Sequence, residues 1–268
     1  ELRSHKLAEI YTQEFNQMWG SDSSIPNPNN SCFGTHKSKI PCHSVVVDST
    51  PVEVYFSPKD DACAYITDLI ETTNKAIHFC TFVFTRQDMC NTMKERWDNG
   101  IEVSGVFDHH DWLGYYSKSR DMTGDVGSPN PWNPPAPVYC DSVYARSGHH
   151  FLHHKYLIID PNTDSEPVII TGSMNWSGSG NNKNDENTLI IRSPDIANQF
   201  YQEFVKRFQE AGGSITGIIK LPERIGLKAF PNPFTTTTEI SMQYAQEQPL
   251  TPYSLLPTIC IYDLSGRL

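Results

Sequence analysis

Alternating apolar and polar residues predict a strand, helix, strand, helix, strand series in the first half of the chain. Three short runs rich in Val, Ile and Phe are typical of buried strands, and they span residues 52–56, 76–84 and 101–107. Between the first two runs, four apolar residues recur at helical spacing: Ala62, Ile66, Leu69 and Ile70. A second helix is predicted over residues 86–98, and Gly100 ends it. Strands that alternate with helices indicate an α/β fold with crossover connections.

The second half begins with a long polar connection and then returns to strands. Residues 109–137 are rich in Gly, Pro and Asn, and a loop of that length in a compact domain is usually functional or mobile. Four further apolar runs predict strands at residues 138–145, 154–160, 167–172 and 187–192. A helix with aromatic residues on one face follows over residues 194–211, and a Gly-Gly pair ends it.

An internal repeat relates the start of the chain to this last helix. The segment LRSHKLAEIYTQEFNQMW, from Leu2, aligns with IRSPDIANQFYQEFVKRF, from Ile191, at a constant offset of 189 residues. Two amphipathic helices could share such a pattern by chance. The repeat instead favours a chain that begins at the last helix of an earlier copy of the same domain, with residues 1–50 forming that helix and a linker. Because the chain has no initiator Met, we expect a fragment or a processed piece of a longer protein.

Composition and charge narrow the function classes. A net charge of -10 and a pI near 5.4 argue against a surface for tight nonspecific duplex binding, although a local basic cleft remains open. The seven cysteines include no C-x-x-C pair, so a structural zinc site has little support. Cys32 and Cys42 flank a loop where an extracellular protein could place a disulfide, and free thiols are the alternative. No apolar stretch approaches the roughly 18 to 20 residues of a membrane-spanning helix.

The candidate chemistry lies in HHKYLIID, which contains H-x-K-x-x-x-x-D as His153, Lys155 and Asp160. On a strand, His153 and Lys155 are two residues apart, so both side chains point to one face. The next predicted strand leads into a GSMN turn, where Ser173 and Asn175 could donate hydrogen bonds to the same phosphate oxygens. A nucleophile, an acid, a cation and hydrogen-bond donors are what phosphodiester cleavage requires.

At these residues the sequence resembles the phospholipase D superfamily. HHKYLIID and GSMNWSGSG match its HKD signature, and NDENTLIIRS is similar to the following segment of that family, in which a glutamate, here Glu186, supports the catalytic histidine. The likeness runs from residue 51 to 211, and we assign residues 51–213 to the HKD domain. It implies a β-sheet sandwiched by helices. It also implies a site at the junction of two such domains, a phosphohistidine intermediate, and no metal or other cofactor.

The resemblance implies a role for each candidate residue. His153 would be the general acid and base in a two-copy chain, and in a homodimer it would also be the nucleophile. Lys155 and Asn175 would bind the substrate phosphate, Ser173 would support them, and Glu186 would orient the imidazole.

Two features depart from a simple reading of the motif. Asp160 completes the catalytic motif, but it lies five residues beyond Lys155 on a strand and therefore faces the opposite side, which favours a structural role. Only one complete motif is present. The second histidine and lysine would therefore come from an upstream copy, which the repeat favours, or from a second identical chain.

Two further groups have competing interpretations. Asp108-His109-His110 is similar to the D-H-H element of manganese-dependent DHH phosphoesterases. No upstream D-x-D element accompanies it, so we favour Asp108 at a strand end and the two histidines near the cleft rim. Aromatic residues of the long loop could contact acyl chains or bases, or could pack the loop against the body. They are Trp112, Tyr115, Tyr116 and Trp132.

From residue 226 the composition changes to Pro, Thr and short alternating strands. PNPF and IYDLSGR in this tail resemble the C-terminal sorting domain of the type IX secretion system. The resemblance implies a small, truncated all-β domain over residues 226–268, the secretion machinery as a partner, and a location outside the cell or on its outer surface. A plain β appendage is the alternative.

Together these observations favour a secreted, metal-independent phosphodiesterase of the phospholipase D type that acts on phospholipid or nucleic acid. One alternative is an endonuclease with a single motif that acts as a homodimer. Another is a catalytically silent surface module that keeps the fold.

Overall fold

A computed structural model of the protein describes residues 2–141 and 151–215, together with the backbone of two strands in the C-terminal tail. The chain divides into two compact units, residues 1–215 and residues 216–268.

The described part of the first unit contains eight strands, six α-helices and one short 3-10 helix at Gly34–His36. The strands are β1 (Ser44–Val47), β2 (Thr50–Ser57), β3 (Ala76–Thr81), β4 (Glu102–Asp108), β5 (Val138–Asp141), β6 (Lys155–Ile159), β7 (Val168–Gly172) and β8 (Glu186–Arg192). The helices are α1 (His5–Trp19), α2 (Ala62–Glu71), α3 (Gln87–Asp98), α4 (Lys118–Met122), α5 (Gly178–Asn182) and α6 (Pro194–Glu210).

All eight strands form one sheet in the order β1-β2-β8-β7-β6-β3-β4-β5. The pairs β3–β4 and β4–β5 are parallel, and the other neighbours are antiparallel. As a result, the carboxyl ends of β3, β4 and β7 lie at the same end of the sheet as the amino ends of β6 and β8. We call this the site end of the sheet.

The sheet is covered by helices on both faces. Phe79 and Leu157 are fully buried and belong to a core that includes residues of α2 and α3. The neighbouring His78 and Tyr156 point the other way, towards α6, where the His78 ring lies 4.9 Å from the Phe204 ring centroid. Because side chains alternate along each strand, both faces of the sheet carry apolar residues. Full burial of one large apolar side chain stabilises the fold by about 1.5–3 kcal/mol. The predicted α/β sheet sandwiched by helices is confirmed for the described residues.

The two helices related by the repeat begin in the same way. Ser4 caps α1 by accepting a hydrogen bond from the Leu7 N–H at 3.2 Å. Ser193, its counterpart in the alignment, caps α6 by accepting from the Ile196 N–H at 3.3 Å. Serine at this position satisfies a backbone donor that has no partner within the helix. That α1 originates from an upstream domain copy remains a prediction.

One strand of the sheet lies where the sequence predicted only a linker. Val45 and Val47 of β1 are buried, and β1 forms a hairpin with β2. The two turn residues, Asp48 and Ser49, have φ values of 47° and 70°. Positive φ at both positions matches the twist that a two-residue hairpin requires. Residues 1–50 thus belong to the same compact unit as the predicted HKD domain.

The second unit is described only by β9 (Ile225–Lys228) and β10 (Glu239–Met242), which pair antiparallel. The PNPF and IYDLSGR segments that suggested a sorting domain lie outside the described residues. The same holds for residues 142–145 of the predicted strand at 138–145. Within the described ranges, no helix combines the length and apolarity needed to cross a bilayer. Cys32 and Cys42 are free thiols in this structure.

Candidate active site

The candidate residues come from three segments that meet at the site end of the sheet. His153 immediately precedes β6, Ser173 and Asn175 follow β7, and Glu186 is the first residue of β8. They meet because β7 is antiparallel to both β6 and β8, which brings its carboxyl end beside their amino ends.

His153 and Lys155 form a close pair. The Lys155 Nζ lies 3.4 Å from His153 Nδ1 and donates to the His153 carbonyl oxygen at 3.1 Å. Lys155 is only 7% exposed, and its Nζ lies 4.9 Å from the centroid of the Phe82 ring, a cation–π distance. His153 is exposed, and its ring lies 4.5 Å from that of Phe82. Because an ammonium only donates, Nδ1 is the acceptor in this pair and a neutral ring carries its hydrogen on Nε2.

The surroundings lower the pKa of both groups. Desolvation and the adjacent Lys155 ammonium lower the pKa of His153 below its ordinary value. Desolvation likewise lowers the pKa of Lys155. The carboxylates of Asp108 and Glu186 act in the opposite direction on both groups. The pair therefore presents a neutral imidazole beside a cation at neutral pH, which suits nucleophilic and acid–base chemistry on an anionic substrate.

The turn after β7 carries the side-chain amide of Asn175. The Trp176 N–H donates to the Val83 carbonyl at 3.1 Å, and the Thr85 N–H donates to the Trp176 carbonyl at 2.8 Å. These bonds fix the turn against the segment that follows β3. Asn175 Oδ1 is buried and has no hydrogen-bond partner among the residues that the structure describes. A buried amide oxygen without a partner is costly, and because it is an acceptor it requires a hydrogen-bond donor and not an anionic oxygen. Any contact between Asn175 and a phosphate oxygen would come from its Nδ2 group.

Ser173 ties the same turn to β8. Its N–H donates to the Asn187 carbonyl at 3.0 Å, and its hydroxyl accepts from the Asn187 N–H at 3.0 Å and from Asn187 Nδ2 at 3.2 Å. A Cβ atom at the preceding Gly172 would lie 2.1 Å from the Asn187 carbonyl oxygen, so only glycine permits this close approach. The geometry accords with a supporting role for Ser173, and its part in catalysis remains a prediction.

Glu186 lies within electrostatic reach of the histidine and the lysine, and its Oε1 accepts from Asn184 Nδ2 at 3.2 Å. The preceding Asp185 forms an ion pair with Lys37 at 2.8 Å. Lys37 is 2% exposed and also pairs with the buried carboxylate of Glu14 on α1. No sequence pattern indicated this network, which anchors the segment before Glu186 to the N-terminal part of the chain.

Asp160 lies at the opposite end of β6, away from the other candidates. It is 2% exposed, and its carboxylate accepts hydrogen bonds from the backbone N–H groups of Asn74, Lys75 and Ala76 at 3.1, 2.8 and 3.0 Å. These contacts fix the start of β3. The structure does not bring Asp160 to the histidine, and its contacts are those of a structural residue.

Three further residues lie near the site. The sequence assigned Asp108 only to a strand end, and it did not single out Phe82 or Phe151. Asp108 ends β4, as the favoured interpretation of the D-H-H segment predicted, and it is fully buried. Its Oδ2 accepts from the Leu152 N–H at 2.6 Å, which fixes the backbone just before His153. Phe82 and Phe151 pack with ring centroids 5.8 Å apart. The signal for Asp108 was its place at the end of a strand parallel to its neighbour, since such ends meet at one end of a sheet.

Two of the loop aromatics pack against the body and two are exposed. Trp132 is 3% exposed, and Trp112 packs against the core. Tyr115 and Tyr116 are 80% and 72% exposed and contact each other edge to face, with ring centroids 4.8 Å apart. Residues 111–118 contact the segment that follows β3, because the Lys118 N–H donates to the Phe84 carbonyl at 2.9 Å. The exposed tyrosines therefore belong to a loop that packs near the site end.

A histidine of lowered pKa beside a partly desolvated lysine, at one end of a mixed sheet, is the arrangement expected of the phospholipase D class. A family model agrees with this class: residues 66–208 match the family described as "Cardiolipin synthase, PLD-like domain". The match covers more than half of the chain, and the protein belongs to this family.

Similar proteins include two curated enzymes. A mitochondrial cardiolipin hydrolase of Xenopus tropicalis is 24% identical over 151 residues, which cover 56% of this chain and 63% of the relative. A phospholipase D of Rickettsia bellii is 21% identical over 156 residues, which cover 58% of this chain and 68% of the relative. The chain thus spans less than two thirds of the Xenopus protein.

The fold also resembles that of a solved structure. NucT from Helicobacter pylori superposes with a TM-score of 0.50 at 17% identity, covering 60% of this chain and 97% of NucT. At this identity the likeness concerns the fold alone.

Proposed function

We propose that the protein is a metal-independent phosphodiesterase that hydrolyses phospholipids through a phosphohistidine intermediate. The observation that carries this proposal is the Lys155 Nζ at 3.4 Å from His153 Nδ1 at the site end of the sheet. The curated relatives are named as lipid hydrolases, which favours phospholipid over nucleic acid. Tyr115 and Tyr116 offer exposed aromatic surface suited to the bilayer interface.

The reaction proceeds in two displacements. A histidine nitrogen attacks phosphorus, the bond from phosphorus to the leaving oxygen breaks, and a second histidine protonates that oxygen. The second histidine then removes a proton from water, which attacks the phosphohistidine and releases the phosphomonoester. Lys155 and Asn175 bind the non-bridging oxygens, and Glu186 holds the imidazole in orientation. Cations and donors that stabilise charge in the transition state are usually the largest single contribution.

The mechanism needs two histidines, and the sequence contains one complete motif. The other group comes from a second domain: it is the histidine of an upstream copy or the His153 of a second identical chain. In a homodimer one His153 is the nucleophile and the other is the acid and base. Light scattering combined with an activity assay tests this requirement: activity should follow the dimer, and a fully active monomer would contradict it.

The proposed activity is tested by choline release from phosphatidylcholine liposomes, alongside cleavage of plasmid and single-stranded DNA, all with EDTA present. Choline release should persist in EDTA and fall by about 10²–10⁴-fold in His153→Ala, because general acid–base groups contribute on that scale. His36→Ala is the matched control, since His36 is exposed and lies outside the site. DNA cleavage without choline release would transfer the proposal to the nuclease alternative. Loss of activity in EDTA, or an unaffected His153→Ala, would contradict the mechanism.

We also propose that residues 226–268 direct export by the type IX secretion system. The support is the resemblance of PNPF and IYDLSGR to its sorting domain. Expression in a bacterium with this system should place the chain outside the cell, and removal of residues 226–268 should retain it inside. Export of the shortened chain would contradict the proposal.

A further inference from the structure

The D-H-H segment at the end of β4 forms a compact set of metal-ligand atoms. Asp108, His109 and His110 each offer one ligand atom, and these atoms all lie within 4.8 Å of one another. The hydrolytic mechanism uses neither histidine. Two imidazole nitrogens and a carboxylate oxygen are a ligand set that zinc and similar transition metals accept.

Backbone hydrogen bonds hold the Asp108 carboxylate in position in the absence of an ion. Asp108 is fully buried, its Oδ1 accepts from the His110 N–H at 2.8 Å, and its Oδ2 accepts from the Leu152 N–H at 2.6 Å. Each carboxylate oxygen has two lone pairs, so both can still bind a cation. Hydrogen bonds to the ligating carboxylate are the arrangement that fixes metal ligands in proteins.

One imidazole nitrogen faces this carboxylate without a hydrogen bond of its own. His109 Nδ1 is buried and has no hydrogen-bond partner within the described ranges. It lies 3.6 Å from Asp108 Oδ2, just beyond hydrogen-bond length. Neighbouring ligand atoms around a zinc ion lie about 3.3 Å apart when each bond is about 2.0–2.1 Å. The Asp108–His109 pair is therefore close to this spacing, and the His110 ligand atom lies within 4.8 Å of both atoms.

Aromatic packing holds the two imidazole rings. The His109 ring is parallel to the Phe151 ring within 2°, with centroids 5.7 Å apart. The His110 ring meets the same phenyl ring edge to face at 5.4 Å. Restricting the rings before binding lowers the entropic cost of assembling the ligands.

We propose that Asp108, His109 and His110 bind one divalent transition-metal ion of the zinc type. Three protein ligands leave a further position for water, because His110 is exposed. The site adjoins His153 through Asp108, but the proposed hydrolysis uses no ion, so binding, rather than activity, is the decisive readout. An Asp108–His109 ion pair that merely stabilises the strand end is the competing interpretation.

The test is titration of the full chain with Co²⁺, followed by its visible absorption and by competition with Zn²⁺. We expect one ion per chain, with a spectrum of nitrogen and oxygen ligands and no thiolate-to-cobalt band. His109→Ala and His110→Ala should each weaken binding at least about tenfold, since even loss of a ligand's hydrogen-bond partner costs that much. His36→Ala should bind as the wild type does.

A second measurement separates loss of binding from loss of folding. Metal-free His109→Ala and His110→Ala should unfold at the wild-type urea midpoint. Zinc should raise the midpoint of the wild type and raise the midpoints of both variants by less, because an ion that binds only the folded state stabilises it in proportion to its affinity. The proposal would be overturned if the wild type showed no saturable binding, or if both variants bound cobalt normally.

Discussion

Replacing Asp160 by asparagine is expected to destabilise the first unit of the chain without removing its chemistry. Oδ1 of Asp160 accepts from the Lys75 and Ala76 N–H groups, and Oδ2 accepts from the Asn74 N–H. Asp160 also has a φ of 51°, a conformation that asparagine adopts as readily as aspartate. The substitution therefore changes the charge and one acceptor while it keeps the backbone and the side-chain shape.

The magnitude follows from the three hydrogen bonds. A bond to a charged group contributes about 1.5–3 kcal/mol and a neutral one about 0.5–1.5 kcal/mol, so two retained bonds would each weaken by about 1 kcal/mol. The third N–H would face the amide nitrogen, and a buried donor without a partner costs about 1–3 kcal/mol. We expect the free energy of unfolding to fall by about 3–5 kcal/mol in total.

Urea unfolding followed by tryptophan fluorescence measures this change. All five tryptophans lie between residues 19 and 176, so the signal reports on the first unit. The urea midpoint of Asp160→Asn should fall while the slope stays unchanged. Asp164→Asn, on the exposed loop that follows, is the matched control and should match the wild type.

The same variant separates a structural role from a catalytic one. Folded Asp160→Asn should retain the wild-type turnover, since Asp160 lies at the other end of β6 from His153. A variant of normal stability would refute the hydrogen-bond argument. A well-folded variant that lost turnover by orders of magnitude would place Asp160 in the chemistry.

Three other outcomes are expected. Lys155→Met should raise the pKa of His153, because the ammonium at 3.4 Å disfavours the protonated ring. NMR titration of the imidazole measures this pKa, and the exposed Lys206→Met is the control. An unchanged or lowered pKa would contradict the prediction. Lys37→Met should cost about 3–5 kcal/mol in urea unfolding by leaving Glu14 buried and unpaired, and Lys37→Met/Glu14→Leu should recover part of the loss. In Tyr115→Ser/Tyr116→Ser, less protein should sediment with liposomes, while hydrolysis of a soluble short-chain substrate persists. If the same amount of protein sediments, the tyrosines do not contact the membrane.

The sequence predicted the secondary structure and the motif because both depend on neighbours along the chain. Apolar spacing placed α2, α3 and α6 within a few residues of their observed positions. The two-residue spacing of His153 and Lys155 correctly predicted neighbouring side chains, although β6 begins only at Lys155. The prediction that Asp160 faces away from Lys155 agrees with its contacts at the start of β3.

The sequence did not predict β1 or the shorter extent of β3. The turn at Asp48 and Ser49 lacks the glycine that usually marks a two-residue hairpin, so its strand was taken for linker. β3 was expected to continue to residue 84 but ends at Thr81. Beyond it, the Phe82 N–H donates to the His154 carbonyl, and the next residues bond to the turn at Trp176. These hydrogen bonds join segments that are far apart in the sequence, so they produce no periodic spacing of apolar residues.

The sequence by itself determined which segments are strands and helices and which histidine stands beside a lysine. Only the tertiary structure decided that β8 inserts between β2 and β7, which brings Glu186 to the site and joins Asp185 to Lys37. It also decided that Asp108 supports the backbone before His153. The physical reason is that periodicity records contacts a few residues apart, whereas strand order depends on packing and hydrogen bonds between segments more than a hundred residues apart.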